Sequence, residues 1–205
     1  MVIQPLVEGH GEVTAIPVLL RRLQSVAGQY GFQINRPFRR KRHELTTEAT
    51  VKQSVSLALV PDCAGILIVF DSDDDAACTI GPNVQKWAQA VAGAIPCQVV
   101  AITREYEAWF ISAVESLRGI SGISPVASSH PTPEAVRDAK GALRAVMVQG
   151  SYYLPTIDQV TLTAHLDLAK VHNRCRSFRK MVKAFGVLAE AAGAPIGNWP
   201  PESWR

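Results

Sequence analysis

Continuous apolar runs alternate along the first half of the chain with stretches whose apolar residues recur every three or four positions. The runs "MVIQPLVEG", "AGILIVF" and "CQVVAIT" have the length and continuity of strands buried on both faces. Between them, "EVTAIPVLLRRLQSVAGQYG" sets Val13, Ile16, Leu20 and Leu23 on one helical face, tolerates Pro17 in its first turns and meets Gly31 as a stop signal. A short strand at "FQIN" leads into the basic loop "RPFRRKRH", and "EATVKQSVSLALV" predicts a second helix closed by Pro61. "NVQKWAQAVAGAI" and "EYEAWFISAVESL" predict two more. Strands and helices alternating at this pitch predict an α/β fold around a mostly parallel sheet, because parallel neighbours need crossover helices.

The pattern changes after Leu117. "RGISGISPVASSHPTP" is rich in Gly, Ser and Pro and reads as a linker. "PEAVRDAKGALRAVM", "TIDQVTLTAHLDLAKV" and "SFRKMVKAFGVLAEAA", farther along, are helical in period. The expected organisation is a sheet domain over residues 1–117 and a linker with a helical cap over 118–205.

Composition narrows the class without naming a function. With 205 residues, 47% hydrophobic and 19% charged, the chain is long and apolar enough for an ordinary globular core, which argues against disorder. A net charge of +3 is too mild to identify a partner, so that argument rests on where the charges cluster. The four scattered cysteines include no CxxC pair, which predicts reduced thiols and no zinc site. "MVIQPLVEGHGEV" has no basic leader, and no apolar run reaches the ~18 residues of a membrane span. The expectation is a soluble, cytoplasmic protein with no membrane partner.

The candidate chemistry lies in the acids at the ends of the strands. Ligands of open parallel sheets gather at the strand C-termini, and three acidic groups fall there: Glu8, Asp71 with Asp73, and Glu105 with Glu107. Glu12 opens the first helix, where the dipole favours an anion. A set of carboxylates without His or Cys suits a hard cation, Mg2+ or Mn2+. Asp74 and Asp75 read as a solvated turn or helix cap. A DxD alone recurs on unrelated enzymes, including manganese-dependent sugar-nucleotide transferases; the order E-G-x-G-E, strand then DxD, strand then E-x-E is the more specific signal.

At these residues the chain resembles the Toprim fold, a Rossmann-like metal-binding module shared by topoisomerases, bacterial primases and the OLD (overcoming lysogenization defect) nucleases. "LVEGHGE" resembles the strand-one glutamate with its glycine, and "VFDSDDD" the DxD. "VEGHGEVTAIPVLLRRL", "DSDDD", "EYEAWFISAVESL", "AKGALR", "YLPTIDQ" and "SFRKM" together resemble a compact bacterial family of unknown function grouped with the OLD-like proteins. The resemblance implies a Toprim-like sheet, a nuclease that cleaves DNA with two divalent ions, and a role in bacterial defence. It implies Glu8, Asp71 and Asp73 as catalytic metal ligands, Glu12 as the second acid of the glycine loop, and Glu107 as the acid of a second metal. OLD proteins carry an ATPase, whereas no GxxxxGK[ST] occurs here, so the expected partner is a separately encoded ATPase.

The nucleic-acid side is predicted from basic clusters. Arg36, Arg39, Arg40, Lys41, Arg42 and His43 crowd one loop, and Arg176, Arg179 and Lys180 crowd the start of the last helix. Such groups can track phosphates, and Lys140 is a further phosphate candidate. A silent scaffold that docks on an ATPase or on nucleic acid is the alternative to the enzyme, and assembly with a second copy is left open.

Overall fold

The structure, a computed structural model, describes residues 1–204. Its centre is a parallel sheet. β1 (Val2–Val7) and β4 (Cys63–Asp71) lie side by side, β5 (Cys97–Ile102) flanks β4, and two short strands, β2 (Gln33–Ile34) and β3 (Phe38–Arg39), share the outer side of β1. The sheet is mostly parallel and α/β, as expected from the pattern, and its arrangement is Rossmann-like.

Alternation along the strands sorts their side chains onto two faces. Ile3, Val7, Leu67, Val69, Val100 and Ile102 enter one core, while Leu6, Ile66, Ile68, Phe70, Cys97 and Val99 enter the other. The first face is covered by α1 (Glu12–Ala27) and α9 (Arg176–Ala191); the second by α3 (Glu48–Ala58) and α4 (Ala77–Ala92). Because α9 packs on β4 and β5, residues from Ile3 to Trp204 form a single apolar cluster. The helices of 118–205 therefore share their core with the sheet, and the boundary at Leu117 marks a change of local pattern only.

Several predicted helices are shorter or differently bounded. α1 ends at Gly28, which takes the left-handed conformation (φ 63°) and donates its N–H to the last turn, so Gly31 lies beyond the stop. The stretch from Glu105 to Leu117 divides into α5 (Glu107–Ser112) and a 3-10 turn (Val114–Leu117), with the Ser112 hydroxyl bonded back to the Trp109 carbonyl. "TIDQVTLTAHLDLAKV" divides into α7 (Pro155–His165) and α8 (Leu168–Arg174), because Asp167 is extended and caps α8 by accepting the Lys170 N–H at 3.0 Å. The basic loop contains β3 and the short α2 (Arg42–Thr46), and α6 (Ala139–Ala145) lies beyond the loop after Leu117.

The outer edge of β5 is occupied by its own neighbour. Gln85 and Gln89 of α4 accept the N–H groups of Val99 and Cys97 at 3.0 Å each, and Gln85 donates to the Cys97 carbonyl. Among the described residues, no helix is long and apolar enough to cross a membrane.

Candidate functional site

The loop after β1 is shaped by two glycines. Glu12, buried at the start of α1, turns its carboxylate back so that Oε2 accepts the Glu8 N–H at 3.2 Å. A Cβ on Gly9 would stand 3.0 Å from Glu12 Oε1, and one on Gly11 would collide with the Pro155 carbonyl and the Gln159 side chain. The E-G-x-G-E spacing thus serves two close approaches. One is the carboxylate over the loop, and the other is the first turn of α7 against it.

Asp71 ends β4 on the face shared by Leu67 and Val69, and so points toward α1 and α5. Glu107, the first residue of α5, is fully buried and accepts the Tyr153 hydroxyl on Oε1 at 2.8 Å. Lys140 of α6 places Nζ 3.0 Å from Glu105 Oε1 and 3.1 Å from Glu107 Oε2, while its N–H bonds Glu105 Oε2 at 2.9 Å. Three carboxylate oxygens here are shut off from solvent with no aligned hydrogen-bond donor: Glu8 Oε2, Asp71 Oδ1 and Glu107 Oε2. Buried acceptors are rarely left this way.

Titration behaviour reflects the crowding. Burial raises Asp71 well above the ordinary aspartate range, and the charges of Glu12 and Glu107 add to it. Burial lifts Glu12 to about 7 against the N–H bonds of Gly9 and Glu8, with Glu8 and Glu107 pushing the same way. Glu8 is raised by burial and partly restored by Arg42. Burial works against the charge of Lys140, but Glu107, Asp71 and Glu105 overcome it and hold the ammonium protonated.

The outer part of the acidic turn is organised differently. Arg42 brings Nη1 to 3.2 Å from Asp73 Oδ2 and 3.7 Å from Glu8 Oε2, Nη2 to 2.6 Å from Asp75 Oδ2, and also donates to the Asp71 and Ser72 carbonyls. Arg104 and Arg137 share Asp74 Oδ1 at 2.7 and 2.9 Å. Asp73 and Arg104 both have positive φ, 47° and 65°, and the Asp73 N–H bonds the Arg104 carbonyl, interlocking the turns after β4 and β5. Such a conformation is costly for arginine and tends to collect at functional sites.

The sequence-predicted residues therefore divide. Glu8, Glu12, Asp71 and Glu107 converge. Asp73 lies on the outer side of Glu8, because its left-handed backbone belongs to an exposed turn and its carboxylate pairs with the Arg42 nitrogen that also faces Glu8. Arg42 and Lys140, expected on phosphates, are engaged by carboxylates instead. Arg39 and Arg40 lie beside the site, with Arg39 Nη1 3.4 Å from the Glu8 carbonyl, and Lys41 is exposed at the start of α2. Arg176, Arg179 and Lys180 are exposed on α9, and among the described residues none of them forms an ion pair; Arg179 donates to the carbonyls of His172 and Asn173. Tyr153, Arg104 and Arg137 do not stand out in the sequence. Their only signals there are the "YLPTIDQ" stretch beginning at Tyr153 and the number of acids needing counter-charges.

An all-oxygen set with three buried oxygens that form no aligned hydrogen bond has the chemistry that suits a hard divalent cation. In the present arrangement Arg42 and Lys140 supply the positive charge, and among the described residues no three His, Cys, Asp or Glu side chains stand in a metal-holding group.

Fold and site define a Rossmann-like α/β protein with a carboxylate cluster at the C-terminal edge of its sheet. Residues 7–185 match the model of DUF4276, a domain of unknown function, and the chain belongs to that family. Comparison with curated proteins and with solved structures finds no match to either.

Proposed function

We propose that the chain is a divalent-metal-dependent hydrolase of nucleic-acid phosphodiesters. The observation that carries this reading is the set of three buried carboxylate oxygens with no aligned hydrogen bond, Glu8 Oε2, Asp71 Oδ1 and Glu107 Oε2, at the strand ends, of which Asp71 Oδ1 also has no cation of the described residues within ion-pair distance. The resemblance of "LVEGHGE" and "VFDSDDD" to the Toprim nucleases supports it. Glu8, Asp71 and Glu12 would hold Mg2+ or Mn2+, which when bound neutralises phosphate oxygens and activates water. Asp73, beside Glu8 but paired with Arg42, would join them only by leaving that arginine. Glu107 is the acid for a second ion, and Lys140 already stands against it as a fixed cation.

The chain's own residues prepare the pocket. Glu12 rigidifies the loop that carries Glu8 through its bond to the Glu8 N–H. Tyr153 orients Glu107, and Lys140 keeps Glu105 and Glu107 from repelling one another. Freed from Glu8 and Asp73, Arg42 would be placed to meet a phosphate oxygen.

Purified protein incubated with supercoiled plasmid and manganese should convert it to the nicked form, EDTA should stop this, and Asp71→Asn should abolish it. Cleavage that persists in Asp71→Asn, or no cleavage of plasmid, single-stranded DNA or RNA with either metal, would overturn the reading.

A further inference from the structure

Along the outer side of β1 runs a groove of about 790 Å³ whose lining includes His10, Arg36, Phe38, Arg39, Arg40 and Leu57. It lies beside the loop that carries Glu8, since Arg39 Nη1 reaches the Glu8 main-chain carbonyl at 3.4 Å. Its basic residues differ from the other cations nearby. Arg42, Arg104, Arg137 and Lys140 all hold carboxylates. Among the described residues, Arg36, Arg39 and Arg40 form no ion pair; Glu44, partly exposed on α2, feels the charge of Arg40. Three guanidinium groups without carboxylate partners on one wall are complementary to an anionic chain.

The backbone beneath them is fixed. Phe38 and Arg39 pair in parallel with Leu6 and Val7, and the Arg40 N–H bonds the Val7 carbonyl at 2.9 Å. Phe38 packs one side against the second core and remains partly exposed, and Leu57 is 58% exposed. The groove thus joins cationic groups to an apolar floor. A duplex turns its phosphates outward and keeps its bases stacked, so it cannot use such a floor; an unpaired strand can lay a base on the aromatic ring. The volume falls within the ~300–1,000 Å³ of small-molecule sites, room for one or two nucleotides and too little for a double helix.

We propose that this groove seats single-stranded nucleic acid, with backbone phosphates on Arg36, Arg39 and Arg40 and a base against Phe38, delivering the next phosphodiester to the carboxylates. The inference rests on the hydrolytic reading for the fate of the strand once bound, so its test excludes divalent ions.

Fluorescence anisotropy of labelled dT12, rU12 and a 12-bp duplex in EDTA, titrated with the full chain, reads it directly. One of the single strands should bind at least about tenfold tighter than the duplex, and the dT12 and rU12 arms tell DNA from RNA. Replacing Arg36, Arg39 and Arg40 together by Gln should flatten the slope of log affinity against log salt by about 2, at ~0.7 per phosphate contact. Phe38→Leu should weaken binding about tenfold, from loss of stacking, with the slope unchanged; matching circular dichroism melts confirm that both variants fold. Equal affinity for strand and duplex, no binding of either strand, or a Phe38→Leu variant that binds like the parent would overturn the proposal. Strand binding as described with no cleavage once manganese is added would instead remove the hydrolytic reading and leave the groove standing.

Discussion

Four aspartates leave β4 within five residues, yet the turn meets its own repulsion in two ways. Asp73, Asp74 and Asp75 face water and each has an arginine at 2.6 to 3.2 Å. Asp71, two residues before Asp73, points inward, where its Oδ1 has no donor and the carboxylates of Glu12 and Glu107 act against its charge while Lys140 favours it. The outer acids are neutralised by flexible side chains in a solvent that would screen them anyway, so their pairs contribute little. The inner acids are held together by the fold itself, in spite of the energy of burying like charges. A cluster that the fold maintains against its own electrostatics is the stronger candidate for function.

The largest effect that would separate the two regions is on activity. Asp71→Asn should cut manganese-dependent nicking at least about a hundredfold, the upper end of what even indirect metal-site changes cost, whereas Asp74→Asn should leave it within about threefold. Equal losses would erase the distinction. The same Asp71→Asn change should raise the melting temperature of the metal-free protein, since it removes a charge from a pocket short of counter-charge.

Next is the cover over the inner acids. Gly11→Ala drives a methyl into the Pro155 carbonyl at the start of α7 and should destabilise the protein by about 1–3 kcal/mol in urea unfolding. It should also admit water to the inner group and bring its behaviour closer to that of the outer one.

A smaller effect is expected on pH dependence. The folded values of Glu8, Glu12 and Asp71 are raised, Glu12 to about 7. A carboxyl with a raised value binds its proton more tightly in the folded state than in the unfolded. Its contribution is therefore complete below the ordinary carboxylate range and lost as pH rises through the folded value. Metal-free protein should lose stability from about pH 5 to 8, and millimolar manganese should flatten that decline; a melting temperature rising over this range would contradict the assignment. The smallest expected change is that of Asp75→Asn, which breaks a half-exposed pair with Arg42 and should shift stability by no more than about 1 kcal/mol.

The sheet and the converging strand ends were legible because their signals are local: unbroken apolar runs, glycine punctuation and acids just after them. Those signals bring Glu8, Asp71 and the pair Glu105 and Glu107 to one edge, while the choice of Glu12 and Glu107 within it rests on the resemblance to the Toprim nucleases. Asp73 could not be placed in this way, because its orientation depends on a positive φ stabilised by the neighbouring turn at Arg104, a contact between residues distant in sequence. Arg42 and Lys140 looked like phosphate contacts for a related reason, since charge density reads the same whether the partner is a ligand or the chain's own carboxylates. The helices after Leu117 kept their period but not their lengths, because Asp167 caps a new helix within what reads as one continuous stretch. That α9 would complete one face of the sheet required knowing which way the chain turns after the linker.

Gln85 and Gln89 leave one further mark on the molecule. With the Cys97 and Val99 amides already bonded to glutamines of α4, the first half of the margin at β5 has its donors occupied and is a poor template for a second strand. The glutamines of α4 thus act as an internal guard on the strand most open to adding a neighbour.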